Sequence, residues 1–285
     1  MIFYPISVMR LDLVPIAMLL AVAPVFAADD GGGFVNSLGM KFVTISGENI
    51  SICIWETRVR DFTAFVEATG HDATSGMVAE DKDATVHRDW REPGYPQSPD
   101  HPVSGVSFED AQAFCRWLTE KERASGRIGK LQAYALPTDR QWSVAAGLGN
   151  ETGATPADKN RKVEGVYPWG SEWPPPTDAG NYAGQESGQK VMITGYADRH
   201  RFPSAVGTFP PNRHGLHDIG GNLWEWTSDW YDGTNKSKAR RGGSWLTHRQ
   251  DEMLTSARRH KPVSYRGAGV GFRCVLTAAA PPKTP

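Results

Sequence analysis

The chain has 285 residues, and its 31 Lys+Arg nearly cancel its 32 Asp+Glu. That balance excludes blanket electrostatic binding to nucleic acid or to an anionic membrane. Charged residues at 22% and aromatics at 10% exclude a disordered chain. With 30 Gly, 20 Pro and 10 Trp, the composition predicts a body rich in turns and irregular structure, not a helical bundle. Three cysteines allow at most one internal bridge.

Residues 13–26 are an apolar run with Arg10 ahead and Ala27 and Ala28 behind. This is the layout of a cleaved secretory signal peptide over residues 1–28, and the run is shorter than the roughly 20 residues of a membrane span. Residues 29–33 read as a flexible leader, 34–277 as one globular domain and 278–285 as an Ala/Pro-rich disordered tail. The expected location is periplasmic or secreted, where a disulfide is permitted. A monomer with no membrane span after signal cleavage is expected.

Lys41 to Ile45 and Ile50 to Trp55 predict two strands of a hairpin. A helix follows, capped by Thr57, burying Phe62, Phe65 and Val66 and stopped by Gly70. Ser107 with Asp110 predicts a second helix start, and Ala111, Phe114, Cys115 and Leu118 form its buried stripe. Thr138 with Gln141 starts a third helix, which ends at Gly147. Periodicity is then lost over residues 150–212, the span of a long functional or metal-braced coil. Short strands and tight turns are expected at Asn222 to Trp226, Arg241 to Trp245 and Gly271 to Val275.

Several segments in register carry a resemblance. They include Asn36-Ser37-Leu38-Gly39-Met40-Lys41-Phe42, Leu136-Pro137-Thr138, Tyr167-Pro168-Trp169-Gly170, Gly180-Asn181-Tyr182, Asn222-Leu223-Trp224-Glu225-Trp226, Arg241-Gly242-Gly243-Ser244-Trp245 and Gly271-Phe272-Arg273-Cys274. With these the chain resembles the formylglycine-generating enzyme family, also called sulfatase-modifying factors. The resemblance implies a single α+β domain of that type, low in regular secondary structure and related to C-type lectin-like folds. The family's oxygenases convert a substrate Cys to formylglycine with copper(I) held by two cysteines just after the Gly-Gly-Ser-aromatic motif. Here residues 246–253 contain no Cys; Thr247 stands at the first position, and Asp251 or Glu252 falls near the second. Copper(I) requires soft thiolates, so copper and formylglycine formation are not expected.

The resemblance also implies two structural calcium sites. One carries over as the Asn181 and Asp198 side chains with the Tyr182 and His200 carbonyls. The other carries over as the Asp218 and Glu225 side chains with the Gly221 and Leu223 carbonyls. The Asp-x-x-Gly-x-Leu-x-Glu pattern fits calcium by itself, since it mixes carboxylates and carbonyls around a tight turn. The alternative is that Asp218 caps a turn and Glu225 pairs with an arginine such as Arg240. Cys115 and Cys274 map onto a family disulfide, the alternative being two buried thiols; Cys53 reads as a buried free thiol. Trp224, Ser244 and Arg258 map onto the family's substrate groove, with Thr247 and His248 beside them, although Trp224 also reads as core. Arg240, Arg241, Arg258 and Arg259 also read as a solvated face. His214 and His217 precede the second calcium motif, and His248, Asp251, Glu252 and His260 offer a non-haem iron triad as a further alternative.

Two functions follow as expectations. The first is an exported, calcium-braced binding module whose groove holds a peptide, glycan or envelope protein. The second is a family enzyme with altered, non-haem metal chemistry, its catalytic residues unknown.

Overall fold

Short polar side chains at their first turns start the helices. The computed structural model describes Met1 and residues 33–78 and 87–277. The body Gly31–Pro285 carries the elements below. The expected signal peptide beyond Met1, the leader up to residue 32 and the tail 278–285 lie outside the described residues. In α2 (Phe108–Ala124) Ser107 Oγ accepts the Asp110 N–H, and Asp110 accepts the Ser107 N–H in return. Thr138 and Gln141 exchange the same pair of bonds at α3 (Asp139–Ala145). α1 (Val59–Thr69) differs from expectation at its start. Its cap is Arg58, whose N–H and guanidinium both donate to Asp61, while Thr57 is buried and its hydroxyl lies 3.8 Å from the Cys274 sulfur. Gly70 ends α1 in the left-handed region at φ 67°, donating its N–H to the Val66 carbonyl.

Five antiparallel strands form the first sheet in the order β1-β2-β3-β9-β4. They are β1 (Phe34–Val35), β2 (Lys41–Ile45), β3 (Ile50–Cys53), β4 (Ala133–Ala135) and β9 (Val275–Thr277). The last strand thus inserts between β3 and β4. The sheet is covered on both faces, which is why all four residues of β3 are buried. Phe42, Cys53, Tyr134 and Leu276 face a core filled by Phe62, Phe65, Phe114 and Phe272. Ile45, Ile50, Ile52 and Val275 face Trp142, Leu216 and Ile219. This division follows from the two-residue repeat of a strand.

A four-stranded sheet follows the order β7-β6-β5-β8: β5 (Trp224–Trp230), β6 (Lys238–Arg241), β7 (Arg259–Lys261) and β8 (Val270–Gly271). β8 runs parallel to β5, and the other pairs are antiparallel. β5 runs past the expected end at Trp226. Between α3 and β5 the chain is mostly coil, broken by α4 (Pro156–Lys159) and a 3-10 turn (Gln185–Ser187); α5 (Gln250–Met253) lies between β6 and β7. Among the described residues no helix is long and apolar enough to cross a membrane.

One buried ion pair links the two sheets. Glu225 on β5 receives Arg273 Nε and Nη2 at 2.6–2.8 Å and Trp142 Nε1 at 2.9 Å. Arg273, just ahead of β9, donates its other N–H groups to the carbonyls of Cys53, His217 and Asp218. Both residues are at most 1% exposed. Removing one member leaves the other charge buried and unpaired, which costs about 3–5 kcal/mol. Arg273→Met is therefore expected to lower unfolding stability by about that amount, read by urea denaturation; a loss under about 1 kcal/mol contradicts this account.

Candidate functional site

The loops that carry the expected calcium ligands meet along one seam. Asn222 N–H donates to the Asn181 carbonyl at 2.8 Å, and Asn181 Nδ2 reaches Asn222 Oδ1 at 3.4 Å. Gly221 permits the approach: its φ is 86°, and a Cβ there would lie 2.6 Å from the Asn181 carbonyl oxygen. On one side of the seam Asp198 accepts the Tyr182 and His200 N–H groups at 2.7 and 2.8 Å. Glu186 accepts the Asp198 N–H, so two carboxylates stand side by side. Burial, followed by the Glu186 carboxyl, pushes Asp198 up to about 8. On the other side Asp218 accepts the Gly207 N–H at 2.8 Å, and burial pushes it up to about 6. Glu56, fully buried, accepts from Asn222 Nδ2 and from the Leu223 N–H, and burial with Asp218 and Glu225 nearby raises it well above the carboxylate range.

These groups suit a hard cation by one observation in particular. Asn181 Oδ1 and Asp218 Oδ1 are buried oxygens without a hydrogen-bond partner among the described residues. An unsatisfied buried acceptor is costly, and calcium takes such amide, carboxylate and carbonyl oxygens. Glu225 is different, because Arg273 and Trp142 occupy its oxygens; its arginine partner is Arg273, not Arg240. Glu56 and Glu186 have no place in the sequence pattern. Glu56 meets Leu223 across 167 positions, and no local spacing signals that contact.

The turn after Gly-Gly is built from the hydroxyl of Thr247. It accepts the Ser244 N–H at 2.9 Å, and the Thr247 N–H donates to the Ser244 carbonyl at 2.8 Å. Gly242 and Gly243 have φ of 98° and 81°, which a side chain rarely adopts. Ser244 and Thr247 are buried, His248 is half-buried, and Trp224 is 7% exposed among core side chains. Arg258 does not stand at an open groove. It is 1% exposed and bound to Asp139 and Glu151 at 2.6–2.9 Å. Arg241 joins the same network through Asp139 and Ser143. The expected solvated arginine face is therefore limited to Arg259, since Arg240 is buried too.

Two hollows open nearby. One, of about 280 Å³, is lined by Trp169, Phe209, Pro211, Asp218 and Gly220 among others. A shallower one, of about 550 Å³, lies beside Tyr167, Arg249, Gln250 and Asp251. Neither is lined by Trp224, Ser244 or Thr247. The residues considered for iron are held apart by other partners. Asp251 pairs with Arg161 and Arg249, Glu252 pairs with Arg249 and Arg259, and His260 stacks on Tyr231 at 4.1 Å. His217 Nδ1 bonds the Phe209 carbonyl, and His214 lies beside Arg213. Among the described residues no group of three or more His, Cys, Asp or Glu is gathered as a metal site. Each calcium set from the sequence holds at most two such residues, and its other ligands are an amide or carbonyls. The Cys115 and Cys274 sulfurs lie 3.7 Å apart as thiols, and Cys53 is a separate buried thiol.

Residues 41–278 match the model of the sulfatase-modifying factor enzyme 1-like domain. The formylglycine-generating enzyme of Bos taurus is 27% identical over 267 residues, covering 77% of this chain and 63% of the relative. A second Bos taurus protein, inactive C-alpha-formylglycine-generating enzyme 2, is 30% identical over 210 residues, covering 68% of this chain and 58% of the relative. The chain thus spans less than two thirds of the length of these two relatives. Among solved structures, PvdO from Pseudomonas aeruginosa has the same fold, with a TM-score of 0.57 at 21% identity over 80% of each chain. The family match takes in the helices, every strand but β1 and the seam between the loops, so the chain belongs to the sulfatase-modifying factor family and has its single α+β formylglycine-generating-enzyme-type domain.

Proposed function

We propose that this protein is an exported, calcium-braced binding domain that keeps its family's substrate-facing turn and does not form formylglycine. The observation that carries the reading is Thr247. At the position where the family places a copper thiolate, this chain has a hydroxyl that accepts the Ser244 N–H and closes the turn. A hydroxyl is a hard donor, and copper(I) is retained by soft thiolates. Residues 246–253 hold no cysteine, and Cys53, Cys115 and Cys274 are buried elsewhere. The similarity to a relative named as inactive agrees with this reading. Export is supported by the apolar run of residues 13–26 between Arg10 and the Ala27-Ala28 pair. The proposed partner is a peptide, glycan or envelope protein met at half-buried His248, while Trp224 and Ser244 are buried in the core and the turn.

The test is a sulfatase-type cysteine peptide incubated with the purified protein, copper and oxygen. Mass spectrometry is expected to show no formylglycine above a no-protein control; conversion above the control overturns the reading.

Calcium would be held on one side of the seam by Asn181 and Asp198 with the Tyr182 and His200 carbonyls. On the other side it would be held by Asp218 with the Gly221 and Leu223 carbonyls. Glu225 adds charge there while remaining paired with Arg273. The cation would supply bracing, not chemistry. Calcium at 100 times its dissociation constant is expected to stabilise the fold by about 2.7 kcal/mol. Melting curves with and without chelator check this, and superimposable curves refute it.

The Cys115 and Cys274 thiols are adjacent, and an oxidising compartment would join them. Closing that loop contributes about 3–5 kcal/mol in the chain-entropy account. Non-reducing peptide mapping of exported protein is expected to find that one pair cross-linked and Cys53 alkylated. Three alkylated thiols would rule the bridge out.

A further inference from the structure

Among the described residues no carboxylate neutralises the buried charge of Arg240. The residue is 6% exposed, and its Nε is sealed from solvent without an acceptor. Among the described residues its guanidinium has no carboxylate partner. It is surrounded by rings instead: its guanidinium carbon lies 6.0, 5.6 and 5.5 Å from the ring centroids of Trp224, Trp226 and Tyr265. Lys261 Nζ lies 4.4 Å from the same Tyr265 ring, so two cations flank one half-buried aromatic.

The strand register adds to this excess. Lys238 stands opposite Lys261, and Arg240 opposite Arg259. Directly opposed residues share a face, and like charges so placed repel. The nearby carboxylates are engaged elsewhere. Glu252 takes Arg259 and Arg249, Asp232 takes Thr234, and Asp229 accepts the Asp139 N–H. Lys238 donates to the Ser228 carbonyl and covers the Trp230 ring at 3.7 Å. Burial pushes Arg240 down to about 10, and burial together with Arg240 and Arg259 lowers Lys261. A short cationic edge strand ended by Pro262 also guards a sheet against unwanted pairing. That accounts for Arg259 and Lys261 on β7, but not for a buried arginine on β6, which is an interior strand.

We propose that this face of β6 and β7 binds an extended acidic peptide, whose carboxylates meet Arg240 and Lys261 on either side of Tyr265. The cations recur at alternate positions, 238 and 240 on one strand and 259 and 261 on the next. Alternate positions on a strand are about 6.5–7 Å apart, the spacing of alternate side chains in an extended peptide. Thr247 and the calcium loops play no part. Trp224 borders both this face and the proposed partner site, but the formylglycine and calcium tests do not involve Arg240 or Lys261, so the two readings fail separately.

The test is fluorescence anisotropy with a labelled peptide of alternating Asp and Ser, a neutral Asn/Ser control and an acidic oligogalacturonide competitor. Wild-type protein is expected to bind the acidic peptide at least tenfold more tightly than the control. Arg240→Met and Lys261→Met are each expected to weaken binding at least tenfold, and the oligogalacturonide is expected to compete poorly. Arg240→Met is also expected to melt no lower than wild type, because it removes an uncompensated buried charge. Lys261→Met, at a partly exposed position, keeps the binding test available if Arg240→Met folds poorly. Equal binding by wild type and variants, no binding by wild type, or tighter binding of the oligogalacturonide would overturn the proposal. So would a clearly lowered melting temperature for Arg240→Met with binding intact in Lys261→Met, since Arg240 would then be part of the scaffold alone.

Discussion

The pair Glu225–Arg273 is the constraint on which the loops depend. A glutamate on the first half of β5 and an arginine at the entry to β9 are removed from water together, and each must satisfy every remaining donor and acceptor. Arg273 does so by holding the carbonyls of Cys53, His217 and Asp218, and Glu225 by taking the Trp142 indole. The polar demand of one guanidinium therefore fixes β3, β5 and the 217–218 turn against each other. Satisfaction of this kind makes a buried ion pair tolerable where desolvation alone would forbid it.

Three buried charge clusters can be compared by how completely they are paired. Arg241 and Arg258 are matched by Asp139 and Glu151, with Ser143 between them and Lys159 at 3.8 Å from Asp139. That cluster joins α3 to β6 and has no group left over for a ligand. Around Glu225 the balance fails on the negative side: Glu56 and Asp218 add carboxylates to a single Arg273, and Asp218 keeps a bare oxygen. At Arg240 it fails on the positive side. A matched cluster is architecture, whereas an unmatched one marks a place where a charge of opposite sign improves the fold.

Much of the fold was legible wherever the information is local. The caps of α2 and α3 are legible because Ser107 with Asp110 and Thr138 with Gln141 are three residues apart, although Asp110 also takes His71 and Arg266 from afar. The start of α1 was misread because Thr57 is a good cap by type, yet its hydroxyl faces Cys274, and Asp61 instead binds back to Arg58. β5 extends past the expected end without a signal, because Ser228 and Asp229 lack strand propensity and residues 228–230 are all half-buried, with no alternation. The arginine pairs were misread for a related reason. Neighbours on a strand point to opposite faces, so Arg241 enters the Asp139 network while Arg240 joins the tryptophans. Glu56 and Glu186 were out of reach, since only folding across long sequence separations, or around an irregular loop, makes them part of the seam.

The loop after Gly-Gly-Ser holds its shape through a few local requirements. Its shape depends on glycines at 242 and 243, on the close approach of Gly269 to Ser244, and on one side-chain acceptor at position 247 for the Ser244 N–H. A threonine hydroxyl meets that last requirement well, being a strong acceptor of fixed reach. A neutral thiol meets it weakly, and its thiolate can hold a soft metal. Under the proposed function, a threonine here favours the turn as a scaffold over the turn as a metal site. The Ser244 N–H has its acceptor, and the polypeptide path past Trp245 is held.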